Sequence, residues 1–169
     1  MKILMAGVLI LAVFTASLCF GEESNSREGK GLSLTITTDK KVYAMGESIE
    51  CTLSLQNIGK TALVVNSRLL LNYDATFPHE VLFDIVGPDG RSLEFIPLIR
   101  AGLPSSEDFT LLSPSEFIMS TFELSRDFSF DKEGKYRIKA IYENYYKPEG
   151  MTVWTGRVES NTVEIKIKK

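Results

Sequence analysis

Leu32, Leu34 and Ile36 alternate with Ser33, Thr35 and Thr37. The same two-residue rhythm returns three more times. Ile49, Cys51, Leu53 and Leu55 are spaced by Glu50, Thr52 and Ser54. Tyr136, Ile138, Ala140 and Tyr142 lie opposite Arg137 and Lys139, and Val163, Ile165 and Ile167 alternate with Glu164, Lys166 and Lys168. Successive strand side chains point to opposite faces, so each segment predicts a strand with one apolar and one wet face. Slipping any of them by one residue would turn polar or charged groups inward, which specifies the register.

Shorter apolar runs predict further strands at Leu63–Val65, Leu69–Leu71, Val81–Val86, Leu93–Ile96, Phe109–Leu112 and Phe117–Leu124. Turn signals separate them: Asn57-Ile58-Gly59-Lys60, Gly87-Pro88-Asp89-Gly90 and Ser113-Pro114. No segment after residue 21 carries a helical apolar period. The pattern predicts one all-β domain over 32–169, an antiparallel β-sandwich of about seven to nine strands. Pro97 to Asp108 is the longest stretch without strand pattern. It reads either as a functional or mobile loop, or as a crossover between sheets.

The start of the chain breaks this rhythm. Met1-Lys2 is followed by an uncharged apolar run from Ile3 to Phe14, a small mixed stretch to Gly21, and charge at Glu22-Glu23. That layout predicts a signal peptide over 1–21 and a secreted or periplasmic product. If the apolar run extends to Phe20, the segment could instead stay as an anchor. Ala16-Ser17-Leu18-Cys19 is similar to a bacterial lipoprotein box, with Leu18 where a small residue is usual. Lipidation at Cys19 would give a membrane-tethered lipoprotein. Residues 22–31 are polar and read as a flexible lead-in.

Charge and cysteine usage narrow the partners. The formal net charge is −3, and loss of Lys2 with the leader (−3 minus +1) makes it −4. A mildly acidic chain lacks the basic face that nucleic acid requires. Membrane contact is expected only through a lipid on Cys19 or an uncleaved leader. Once the leader is removed, Cys51 is the sole cysteine. Stability must then come from packing rather than from an internal disulfide.

Two local patterns carry a family resemblance. Asp131-Lys132-Glu133-Gly134-Lys135-Tyr136 resembles the corner that opens the F strand of immunoglobulin-like sandwiches, where the tyrosine hydroxyl bonds back to the upstream backbone. Ile138 stands where antibody-type domains carry the second cysteine, and no strand-C tryptophan is present. Tyr43 to Asn57 looks like the opening of many bacterial immunoglobulin-like modules. Phe109–Phe117, Leu124–Phe130 and Glu133–Ala140 look like the closing half of two groups. These are the intracellular proteinase-inhibitor type, and the non-catalytic prosegment-like domain ahead of deuterolysin-type metallopeptidases. Ser115 replaces the glycine those groups usually carry after proline. The resemblance implies an immunoglobulin-like sandwich, and with it a peptidase inhibitor or prosegment-like regulator as one functional class. It assigns no inhibitory residue.

Candidate chemistry is sparse. His79 is the only histidine, and His79-Glu80 lacks a second histidine to complete a zinc site. Cys51 and His79 could form a nucleophilic pair, but Cys51 falls on the apolar face of its strand, where thiols are inert. No nucleophile elbow, phosphate loop or calcium-loop spacing occurs, and no cofactor is implied. Glu80, Asp84, Asp89, Glu107 and Asp108 read as solvated charges. The residual signal is aromatic. Tyr142, Tyr145, Tyr146 and Trp154 bracket the Lys147–Gly150 loop. Exposed, Tyr145, Tyr146 and Trp154 would stack on a glycan or anchor a protein partner. Alternatively, Tyr142 and Trp154 pack into the core edge and only Tyr145 and Tyr146 remain outside. The expected function is a non-enzymatic binding or interaction domain of the bacterial envelope or medium.

Overall fold

The computed structural model describes residues 31–71, 80–96 and 102–169. The leader, Cys19, the lead-in before Gly31, His79 and the first half of the Pro97–Asp108 stretch lie outside the described residues.

Among the described residues nine strands follow one another: β1 Leu32–Thr38, β2 Val42–Ala44, β3 Glu50–Asn57, β4 Leu63–Asn66, β5 Val81–Val86, β6 Phe109–Leu112, β7 Phe117–Glu123, β8 Gly134–Asn144 and β9 Gly156–Lys168. One principal sheet has the order β1-β3-β7 and the other β2-β9-β8-β5, while β4 and β6 form a separate ribbon. All pairings are antiparallel except β2 on β9. The fold is an all-β sandwich, as the alternation predicts.

The predicted inward faces form the core. Leu34, Ile36, Leu53 and Leu55 on one sheet and Ile138, Ala140, Val163 and Ile165 on the other are all buried. Phe83 of β5 meets Phe122 of β7 edge to face, with ring centroids 5.3 Å apart. Fully burying one such aliphatic side chain is worth about 1.5–3 kcal/mol, so this shared face dominates stability.

The predicted tyrosine corner forms. Tyr136 donates its hydroxyl to the Lys132 carbonyl at 2.8 Å and accepts from the Lys132 amide at 3.1 Å. Gly134 makes the bend at φ 137°, and a Cβ there would lie 2.7 Å from the Pro88 side chain. Ser115 adopts φ 70°, the left-handed conformation glycine takes without cost. It sits in a turn closed by the Glu116 amide on the Ser113 carbonyl at 3.0 Å.

Several elements differ from the sequence reading. Leu69–Leu71 and Leu93–Ile96 are not strands. Leu69 is left-handed at φ 48°, and each segment meets its neighbours through isolated bridges and single backbone hydrogen bonds rather than a continuous ladder. β2 is a short strand the pattern missed. β9 begins at Gly156, seven residues before the predicted apolar alternation. Its first half is interrupted by a register shift opposite Lys139 and Ile141, with one extra residue on β9. A single helical turn, α1 Leu124–Asp127, follows β7.

Candidate binding surface

β8 ends at Asn144 and β9 starts at Gly156, so residues 145–155 form the loop at the upper end of the sandwich. The loop is held at its base. Asn144, itself buried, donates its side-chain amide to the Trp154 carbonyl at 2.7 Å. The Trp154 amide donates to the Val64 carbonyl of β4, also at 2.7 Å. The Trp154 ring stacks on Tyr142, with centroids 5.6 Å apart and planes 29° from parallel. Tyr142 in turn donates its hydroxyl to the Asn66 carbonyl at 2.9 Å. A bend at Pro148–Met151 closes the loop tip through the Met151 amide at 3.2 Å.

This arrangement divides the aromatic set. Trp154 is only 6 % exposed, so it is a brace and not a contact residue. The reason is its double attachment to β4 and Tyr142. Tyr145 is 62 % exposed, and Tyr146 is half-buried beside it. An aromatic ring held outward on a pinned backbone suits recognition, because little loop entropy remains to be lost on contact.

Beneath the loop lies a buried polar network. Glu80 is 1 % exposed, which corrects its reading as a solvated charge. One carboxylate oxygen accepts from Arg68 Nε at 2.8 Å and from Arg68 Nη2, and the other accepts from the Leu70 amide at 3.0 Å. Removing one partner of such a buried pair typically costs about 3–5 kcal/mol, because the other charge is left stranded. Asn66 is also buried. Its Oδ1 accepts from the Arg68 amide at 3.1 Å, while Nδ2 finds no hydrogen-bond partner among the described residues.

The described part of the Pro97–Asp108 stretch hangs from the same exit of β4. Ser67 donates its amide and hydroxyl to the Asp108 carbonyl at 2.8 and 2.9 Å. Arg68 Nη1 donates to the Gly102 carbonyl at 3.1 Å and lies 3.9 Å from the Asp108 carboxylate. Two loops are therefore tethered to one short strand at one end of the sandwich. The sequence disclosed the loops but not Asn66, Arg68 or Asn144, and it placed Glu80 in solvent. These four belong to no motif, and contacts such as Arg68 with Glu80 and Asn144 with Trp154 join residues ten or more positions apart across a turn or loop.

Reactive groups are placed unfavourably. Burial pushes the Cys51 thiol up to about 12, so it stays protonated and unreactive near neutrality. The Tyr142 hydroxyl is raised by burial and then by the Glu80 charge. Among the described residues no group of three or more His, Cys, Asp or Glu could hold a metal ion. At the lower end an open groove of about 560 Å³ is lined by Met45, Ile49, Phe128 and Phe130. Two acidic groups at or beside it are ion-paired, Glu47 with Lys40 and Asp127 with Arg126. In comparisons with known proteins, no family model matches the chain and no curated protein is significantly similar to it.

Proposed function

We propose that this chain is a non-enzymatic binding module of the bacterial cell envelope or medium, with its contact surface at the upper end of the sandwich. Tyr145 is the principal contact, Tyr146 supports it, and the 102–108 segment flanks them. The observation that carries this reading is Tyr145 itself: a large ring, mostly exposed, on a loop fixed at its base through Asn144, Trp154 and Val64. A tyrosine offers an apolar face and a polar tip at low entropic cost, which suits either a sugar ring or a protein pocket. The leader-like residues 1–21 support the export part of the reading.

The test uses Tyr145→Ala with Tyr146→Ala against the unchanged chain. Both are offered to an immobilised glycan panel and to envelope extract. A partner bound by the unchanged chain and released by the double variant supports the proposal. Equal binding by both removes this surface. Inhibition of a serine, cysteine or metallopeptidase that the same substitutions abolish would assign the loop to the inhibitor class instead. Mass spectrometry of the mature N-terminus tests removal of the leader: a free Glu22 or an acylated Cys19 fits a cleaved export leader, and an intact Met1 contradicts cleavage.

A further inference from the structure

The outer strands of the two principal sheets differ in how their free edges are covered. β1 is capped by Asn161, which is displaced by the β9 bulge. Its Oδ1 accepts from the Ile36 amide at 2.8 Å and its Nδ2 donates to the Ile36 carbonyl at 3.1 Å. β5 is flanked by two segments: the Leu93 amide bonds the Ile85 carbonyl at 2.8 Å, and the Val81 amide bonds the Leu70 carbonyl at 3.0 Å. β2 is only three residues long. β7 runs seven residues and, among the described residues, pairs on one side alone, with β3.

The phase of that pairing fixes what β7 offers. Asn57 donates its amide to the Glu116 carbonyl at 3.0 Å, and Leu124 to the Ile49 carbonyl at 2.8 Å. In an antiparallel ladder, bonded residues alternate. Ile118, Ser120 and Phe122 therefore turn their backbone groups toward β3. Phe117, Met119 and Thr121 turn theirs outward. Their side chains lie on the solvent face, with Phe117 54 % and Met119 59 % exposed. From Phe117 to Phe122 there is no charge, proline or glycine. Natural edge strands normally carry such protection against strand pairing.

We propose that β7 is a self-pairing edge, on which a second copy of this chain docks antiparallel to give a continuous six-stranded sheet. A two-fold pairing places the same strand on both sides. Centred on Met119, it sets each Phe117 against a Thr121 of the other copy, a favourable aromatic–β-branched pair. Glu116 then faces Phe122, and Glu123 faces Ser115, so no like charges meet although the chain is acidic overall. An uncharged edge offers nothing to a basic or acidic peptide, which favours the second copy as occupant. This inference is independent of the Tyr145 surface.

Sedimentation of the full chain, purified as its host processes it, tests the proposal over a range of concentrations. The expected mass doubles as concentration rises. Met119→Lys keeps its side chain in solvent and places a charge at the centre of the pair, so it should remain monomeric with an unchanged circular dichroism spectrum. Thr35→Lys adds the same charge to β1 of the same sheet and should still dimerise. A monomeric unchanged chain at every concentration overturns the proposal. So does a dimer that survives Met119→Lys, or one that Thr35→Lys abolishes equally.

Discussion

The two ends of β8 each carry a buried tyrosine that donates its hydroxyl to a backbone carbonyl. At the lower end Tyr136 reaches Lys132, four residues away, at 2.8 Å. At the upper end Tyr142 reaches Asn66, 76 residues away, at 2.9 Å. The chemistry is the same and the consequence differs. The lower bond closes a turn that the local chain already favours through Gly134. The upper bond ties β8 to β4, supports the Trp154 ring, and so fixes where the 145–155 loop stands. A local bond shapes a corner, whereas a long-range bond positions a surface.

The comparison can be broken most severely at Trp154. Trp154→Ala removes the ring stacked on Tyr142 and should cost about 3–5 kcal/mol in urea unfolding, as large-to-small aromatic changes in cores do. A cost below ~1 kcal/mol would mean the ring is no brace. Tyr142→Phe comes next. It leaves the buried Asn66 carbonyl short of a donor and should cost about 1–3 kcal/mol. Tyr136→Phe faces a half-solvated turn and should cost about 1 kcal/mol or less. Equal costs for the two phenylalanines would erase the distinction between the ends.

Alkaline titration sharpens the same contrast. Burial raises both hydroxyls above their ordinary value of 10.0, and the Glu80 charge raises Tyr142 further. The folded state thus holds each neutral phenol more tightly than the unfolded state does. That stability is complete below the unfolded value, about 10, and is lost as pH climbs through the folded value. The stability gap between the unchanged chain and Tyr142→Phe should therefore narrow above pH ~10, and by more than the gap to Tyr136→Phe. Chemical unfolding at stepped pH reads this out. The smallest stability effect is expected at Tyr145→Ala, within about 0.5 kcal/mol of the unchanged chain, because the ring is in solvent. A larger loss would place Tyr145 in the structural framework and remove it from the contact surface.

The same contrast explains what the sequence disclosed. The inward faces of β1, β3 and β8 were legible because alternation is a local signal. So was the Tyr136 corner, whose residues are contiguous, and the buried lone Cys51. The upper end was not. Whether Trp154 faces core or solvent depends on a β4 carbonyl 90 residues upstream. Glu80 looks solvated until Arg68 is seen across from it. β2 is too short to show a rhythm, and the polar residues Arg157, Glu159 and Asn161 hid the first half of β9. Asn161 is polar because its side chain takes the place of a backbone partner for β1. The exposed Tyr145 was among the candidates, but separating it from Trp154 required the fold.

The central claim is that the upper loop is held in place through Tyr142 and Trp154. Native-state hydrogen exchange at the Trp154 amide, which donates to Val64, tests it most directly. The account predicts slow exchange in the unchanged chain. In Tyr142→Phe it should be about tenfold faster, equivalent to a local loss of ~1.4 kcal/mol, while the Leu93 amide near the lower corner changes only with global stability. A Trp154 amide that exchanges as freely as an unprotected one, or that ignores the loss of the Tyr142 hydroxyl, would contradict it.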